Sequence, residues 1–199
     1  MKARLVAALA AASLLVSGCT VFRPSKPVEV HYFAPTAPTQ RATAQSRAAG
    51  QGLTLRIGRV EPSPYLRERI AWRTSSVELG LYDTKRWTDT PDAYVRRALE
   101  HALFTERGVT QVTGHAPTLD VDITGFEELR HPRGARVELR YRLQDDKTVI
   151  ATDVVTIDRP ATGPAHGRDF SAIVVAIGAA LDEAAERVAD AIVQDLRRP

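Results

Sequence analysis

The chain has 199 residues, and its 27 lysines and arginines only slightly exceed its 24 aspartates and glutamates. This length suits one domain with a sizeable hydrophobic core. A single cysteine excludes a fold held together by internal disulfides.

The first 18 residues are typical of a secretory signal. Lys2 and Arg4 supply positive charge, and the run from Leu5 to Val16 is apolar apart from Ser13. About a dozen residues are too few to span a bilayer, which needs roughly 20. Removal of residues 1–18 would leave 25 basic against 24 acidic residues. The basic character of the chain therefore comes partly from its signal, and we predict no nucleic acid partner.

The signal ends at a motif for lipid attachment. Val16-Ser17-Gly18-Cys19 resembles the bacterial lipobox, in which an aliphatic residue and two small ones precede a cysteine. A lone cysteine is otherwise a small buried hydrophobe or an idle thiol. Because this one ends an export signal, we predict cleavage between Gly18 and Cys19 and lipidation of the Cys19 thiol. A diacylglycerol and an N-acyl chain such as palmitate would then hold the protein on a membrane.

The residue after the cysteine gives the expected address. Lipoproteins of this type commonly carry aspartate there when they are retained in the inner membrane, whereas this chain has Thr20. The sequence therefore predicts an outer-membrane lipoprotein that faces the periplasm.

Beyond the anchor, residues 19–27 are predicted to be a short tether and residues 28–199 a single domain. Val28–Phe33 alternates weakly and is a candidate first strand, and 34–52 is a polar loop expected to be flexible. Alternation and turn residues predict seven further strands. They cover Leu53–Ile57, Ile70–Thr74, Val77–Tyr82, Val109–Val112, Leu119–Phe126, Arg136–Leu143 and Thr148–Ile157.

Two helices are predicted. Thr88–Gly108 has apolar residues at spacings of three and four, Asp89 or Thr90 as a cap, and Gly108 at its end. A long C-terminal helix runs from about Asp169 to Leu196. One end of it either packs as core or projects to meet a partner. The order of elements predicts an α/β fold in which a mixed sheet is packed with helices.

Enzyme signatures do not emerge from the sequence. It has no phosphate-binding loop, dinucleotide fingerprint or zinc-protease motif, and its five histidines share no metal-ligand spacing. Asp120 and Asp122 share a strand face and could act as an acid–base pair, although a solvated face is the simpler interpretation. We therefore predict no catalytic residue, no metal and no cofactor.

Basic and apolar surface residues leave two interpretations open. Arg130, Arg133, Arg136, Arg140 and Arg142 could attract phospholipid headgroups or an acidic partner, but interleaved glutamates favour a mixed, solvated surface. In the segment Pro62–Leu66, Tyr65 and Leu66 either dock onto the core or face a partner.

The ordered set of motifs resembles a known family. The lipobox is followed by His31-Tyr32-Phe33-Ala34-Pro35, by the stretch Leu55–Leu66, by Ile70-Ala71-Trp72-Arg73, and by Leu81-Tyr82 with Arg86-Trp87. Together they resemble the ABC-type transport auxiliary lipoprotein family over nearly all of the mature chain. His31 and Phe33 stand where tyrosine and leucine are common in that family.

The resemblance implies a fold like the anticodon-binding-domain or TolB N-terminal type, with a mixed sheet between helices. It implies an outer-membrane docking component of an ABC/MCE-type lipid transport system, whose partners are an MCE-domain protein and the ABC transporter, and it leaves open a ring of copies. Tyr65, Leu66, Arg86 and Trp87 match the family pattern and are candidate partner contacts. The alternative is a structural or assembly-factor envelope lipoprotein without a transport role.

Overall fold

The computed structural model describes residues 27–35, 49–146, 148–162 and 170–198. The signal, Gly18, Cys19 and most of the predicted loop 34–52 lie outside these residues. The described elements in chain order are β1 His31–Phe33, β2 Thr54–Pro62, β3 Arg69–Arg73, β4 Leu79–Trp87, α1 Pro91–Glu100, a π-helical segment His101–Glu106, β5 Thr110–Gln111, β6 Thr118–Arg130, β7 Arg133–Asp145, β8 Thr148–Pro160 and α2 Ser171–Leu196.

Strand β6 is the centre of one mixed sheet. Along one side it pairs antiparallel with β7, which in turn pairs antiparallel with β8. Along its other side β6 pairs in parallel first with β2 and then with β3. Strand β4 continues the sheet beyond β3, and β1 adds to β4 in parallel. The predicted α/β class with a mixed sheet is confirmed.

The apolar side chains of the long strands face the helices. On β7 the buried residues alternate, as the sequence predicts, through Val137, Leu139, Tyr141 and Leu143. Directly paired residues share a face, so Phe126 on β6 lies beside Val137. The ring of Tyr94 on α1 stacks on Phe126, with centroids 6.4 Å apart.

Both described helices cover this same face. Helix α1 contacts β2 and β6, α2 contacts β7 and β8, and the two helices contact each other. The implied arrangement with the sheet between helices is therefore wrong for the described residues, and the opposite face of the sheet is open. The burial pattern of α2 continues from Ile173 to Val193, so the long helix packs along its length.

The first helix differs in detail from its prediction. The α-helix ends at Glu100 and a π-helical segment continues to Glu106. Thr90 is the N-cap but makes no side-chain cap bond, and Asp89 accepts a hydrogen bond from the Thr90 backbone N–H instead. Gly108 has φ of 69° and ends the helical region as predicted. Among the described helices, none combines the length and the apolar character that crossing a bilayer requires.

Candidate functional site on the open face of the sheet

The open face consists of the side chains of β6, β7 and β8 that point away from the helices. Arg140 and Arg142 of β7 are exposed and lie opposite Asp122 and Asp120 of β6. On β8, Thr152, Val154, Thr156 and Asp158 are exposed. Cross-strand pairs of opposite charge stabilise such a surface and keep it solvated.

Hydrogen bonds fix several of these side chains. Arg136 donates two bonds to the Asp158 carboxylate, at 2.7 and 2.6 Å. Glu138 accepts bonds from the Thr124 hydroxyl at 2.6 Å and the Thr156 hydroxyl at 3.1 Å. The open face is therefore an ordered array of charges.

The candidate acid–base pair is part of this array. Asp120 accepts a bond of 2.8 Å from the backbone N–H of Arg59, and the amide of Gln144 donates to its second oxygen at 3.4 Å. Asp122 is exposed beside Arg140. These contacts fit the interpretation of a solvated strand face.

A buried ion pair lies at the margin of the open face. Glu127 is fully buried, and its carboxylate accepts hydrogen bonds from the Arg73 guanidinium. The hydroxyl of nearby Tyr65 donates a bond of 2.8 Å to the carbonyl of Thr124. Burial raises the pKa of the Tyr65 hydroxyl, and the negative charge of Glu127 raises it further. The pair lies where β6 changes from pairing with β2 to pairing with β3.

A pocket opens beside this ion pair, between the β3–β4 turn and the β6–β7 hairpin. We call it the hairpin pocket; its volume is about 410 Å³. Its charged lining contains one carboxylate, Asp158, and four arginines: Arg73, Arg133, Arg136 and Arg159. Leu129, Pro132 and Pro160 provide apolar walls. The pocket combines cations with apolar surface, as ligand pockets commonly do.

A second polar cluster lies near the hairpin pocket, on the face of the sheet that the helices cover. The Tyr82 hydroxyl donates a hydrogen bond to the carboxylate of Glu128, which is 6% exposed. The Lys85 ammonium lies 3.6 Å from the Tyr82 ring centroid, and the Arg130 guanidinium lies 3.5 Å from that of Trp72. Burial and the bond to Glu128 raise the pKa of Tyr82 to about 12.

This shift predicts a dependence of stability on alkaline pH. In the unfolded chain Tyr82 loses its proton near pH 10.0, whereas in the folded protein it keeps the proton to about pH 12. The contribution of Tyr82 to the free energy of unfolding is therefore fully present below the lower pKa and is lost as the pH rises from the lower to the higher pKa. The free energy of unfolding, measured with urea at several pH values in this interval, should fall more steeply for the wild type than for Tyr82→Phe. Equal slopes would contradict the prediction.

The four predicted partner contacts do not form one surface. Leu66 and Trp87 are 1% and 2% exposed and belong to the core, where the Trp87 ring meets Phe126 edge-on. Tyr65 is half-buried, and Arg86 is half-buried with its guanidinium 3.5 Å from the carbonyl of Tyr82. Partner contact through Tyr65 and Arg86 remains a prediction.

One potential metal-ligand group occurs among the described residues. His115, Asp145 and Asp146 bring a ligand atom each to within 4.8 Å of one another. The side chains of His115 and Asp146 are 74% and 73% exposed. Exposed groups of this kind are common without an ion, so the cluster carries no assignment.

Comparison with known proteins places the chain in a family. The model of the ABC-type transport auxiliary lipoprotein component matches residues 35–189. The chain belongs to this family. No curated protein matches it.

Solved structures agree on the fold of this ABC-type transport auxiliary lipoprotein. A protein from Xanthomonas campestris is similar with a TM-score of 0.70 and 19% identity, over 83% of this chain and 96% of that one. An uncharacterized protein is similar with a TM-score of 0.64 and 14% identity, over 82% of this chain and 99% of that one. At these identities the likeness concerns the fold alone.

Membership makes the chain a lipoprotein component of ABC-type transport, in a family that is not a known enzyme family. The sequence indicates the basic row from Arg130 to Arg142 but not the hairpin pocket. Arg73, Arg133 and Arg159 come from three separate strands, and only the parallel pairing of β3 with β6 brings the first beside the second. The basic residues Arg130, Arg133 and Arg136 were the one available signal.

Proposed function

We propose that this chain is an outer-membrane-anchored, periplasm-facing auxiliary lipoprotein of an ABC/MCE-type intermembrane lipid transport system, and that it acts by docking to partner proteins. The family match over residues 35–189 carries the proposal, because it makes the chain a component of ABC-type transport. Its partners would be an MCE-domain protein and the ABC transporter components, with further copies of the chain as a third partner.

The open face is the surface best suited to docking. The helices cover the opposite face, so residues of the open face can change without removing core contacts. Its arginines and aspartates alternate across β6 and β7, a pattern that selects a partner of complementary charge. Exposed Val154, at 44%, adds apolar area to this surface.

Pull-down from solubilised membranes tests the partner. The lipidated protein should recover an MCE-domain protein together with transporter subunits. Recovery of only peptidoglycan or a barrel-assembly complex would contradict the proposal and favour the structural alternative.

A matched pair of charge reversals tests the surface. Arg140→Glu on the open face should reduce recovery of the MCE protein several-fold, because it places like charges beside Asp122 and removes a cation from the interface. Arg187→Glu, on the solvent side of α2, makes the same charge change and should leave recovery unchanged. Equal recovery by both variants, with normal melting, would place the interface elsewhere.

The anchor predicts a separate outcome. Cys19→Ser removes the thiol that is alkylated, so the signal should stay attached and no acyl chain should be added. Mass spectrometry of protein from the native host should show an acylated N-terminus only for the wild type. A wild-type protein with an unmodified Cys19 would contradict the anchor.

A further inference from the structure

Three chain segments meet at one end of the sheet, which we call the hairpin end. Arg73, the last residue of β3, pairs with Leu129 of β6, so the turn 74–78 lies beside the β6–β7 hairpin. Gly134 pairs with Pro160, which brings the end of β8 to the same place. The hairpin pocket opens among these segments.

The charges in the pocket are not balanced. Glu127 forms an ion pair with Arg73, and Asp158 accepts hydrogen bonds from Nε and Nη2 of Arg136. Arg159 contacts Glu183 of α2. Within the described part of the chain, no carboxylate lies within ion-pair distance of Arg133. Exposed Glu78 is the one carboxylate of the neighbouring turn, and exposed His131 adjoins Arg133 on the other side.

The anchor leads toward this same end. Strand β1 runs parallel to β4, and β4 begins at the β3–β4 turn. The chain that precedes β1 therefore leaves the sheet in the direction of the hairpin end. Pro27 is eight positions after Cys19, a stretch that reaches at most roughly 28 Å when fully extended. Because the chain between the proposed lipid anchor and the domain is so short, the hairpin end stays near the bilayer.

The β3–β4 turn exposes one apolar side chain among polar neighbours. Val77 is 93% exposed, the largest exposure among the large hydrophobic side chains of the described residues. None of the residues that the structure describes covers it. An exposed valine next to a pocket lined by arginines fits the boundary between headgroups and acyl chains, where both groups find suitable surroundings.

We propose that the hairpin end faces the bilayer, with Val77 in the interface and the hairpin pocket holding the phosphate of an anionic phospholipid headgroup. Guanidinium groups bind phosphate oxygens through paired N–H donors, and Arg133 is the free donor. The inference rests on the proposed lipid anchor at Cys19. It adds an orientation of the body and a ligand for the hairpin pocket.

Tryptophan substitutions at the two ends of the sheet test the orientation. The lipidated Val77→Trp protein is reconstituted into vesicles of phosphatidylethanolamine and phosphatidylglycerol with brominated acyl chains. The control is Val149→Trp, an equally conservative change at a 53% exposed position beside the opposite β7–β8 turn. The parent protein, which has neither substitution, already contains Trp72 and Trp87. The quenching of its emission is therefore subtracted from that of each variant. Emission from position 77 should be quenched and shifted to the blue, and emission from position 149 should not.

Charge removal tests the phosphate site. In the Val77→Trp background, Arg133→Gln should lower the ratio of quenched to unquenched emission by roughly fivefold, the worth of one basic residue at an anionic surface. Arg140→Gln, on the same strand but roughly 23 Å farther along it, should leave the ratio unchanged. Replacing phosphatidylglycerol by phosphatidylcholine should have an effect similar to that of Arg133→Gln.

The outcomes separate this inference from the anchor. Parent protein that washes off vesicles at high salt would show that the lipid anchor itself is absent. Parent protein that stays bound, with position 77 unquenched or position 149 quenched equally, would overturn the orientation alone. Quenching at position 77 that ignores both Arg133→Gln and the headgroup charge would overturn the phosphate site.

Discussion

Replacing Leu99 with aspartate is expected to prevent stable folding of the domain. Leu99 is fully buried on α1, within the core that the helices share with the sheet. An unpaired carboxylate there loses its hydration and gains no partner, at a cost of several kcal/mol. That cost is comparable with the whole stability of a typical domain, about 5–15 kcal/mol. Circular dichroism during thermal melting should show no cooperative transition for this variant.

A second aspartate on the same helix provides the control. Ala93 is half-exposed in the first turn of α1, where a negative charge is favoured by the helix dipole. Ala93→Asp should melt close to the wild type. A wild-type melting temperature for Leu99→Asp would place this helix face in solvent and contradict the packing.

Replacing Arg73 with leucine is expected to destabilise the domain by about 3–5 kcal/mol, because it leaves a buried carboxylate without its partner. Glu127 has 0% side-chain exposure, whereas the Arg73 side chain is 22% exposed. The cost therefore arises mainly from Glu127. Urea unfolding of the two proteins measures the difference directly.

Two further variants isolate the buried charge. The double variant Arg73→Leu with Glu127→Leu removes both partners and should recover most of the lost stability. Arg187→Leu breaks a pair with Glu183 in which the arginine is 60% exposed, and should cost under about 1 kcal/mol. If Arg73→Leu were as mild as Arg187→Leu, the buried Glu127 carboxylate would not depend on Arg73, and the prediction would be wrong.

The parts of the fold that the sequence predicts are those whose pattern is local. On β7, arginine and glutamate alternate with Val137, Leu139 and Tyr141, and the alternation alone fixes the strand and its buried face. On α1, Tyr94, Val95 and Leu99 mark the buried stripe in the same way. These patterns need no knowledge of the neighbours.

The parts that it does not predict depend on pairing between distant segments. Strand β4 continues to Trp87 through Lys85 and Arg86, polar residues that lack a strand pattern but pair with β1 and, at Arg86, with β3. The π-helical segment is tied to α2 because Arg107 donates to Asp190 at 2.8 Å and to the carbonyl of Glu186 at 3.1 Å. Neither contact has a signature in the sequence.

The same reason explains the candidate site. Leu66 and Trp87 were candidate partner contacts because they match the family pattern. A family pattern includes buried core positions as readily as surface positions. The hairpin pocket was invisible because its arginines are far apart along the chain. Arg73 and Arg159, for example, meet only after β3, β6, β7 and β8 have paired.

Because β1 is short, the chain that connects the domain to the proposed lipid anchor can lengthen. Three residues pair this strand to β4, and Phe33 contacts the ring of Phe170 with centroids 5.1 Å apart. So few contacts place β1 among the first segments to open. Its release would add residues 31–33 to the connecting chain, roughly 10 Å when extended. Tension between the domain and the proposed lipid anchor would then lengthen the connecting chain before it strained the helices or the central strands.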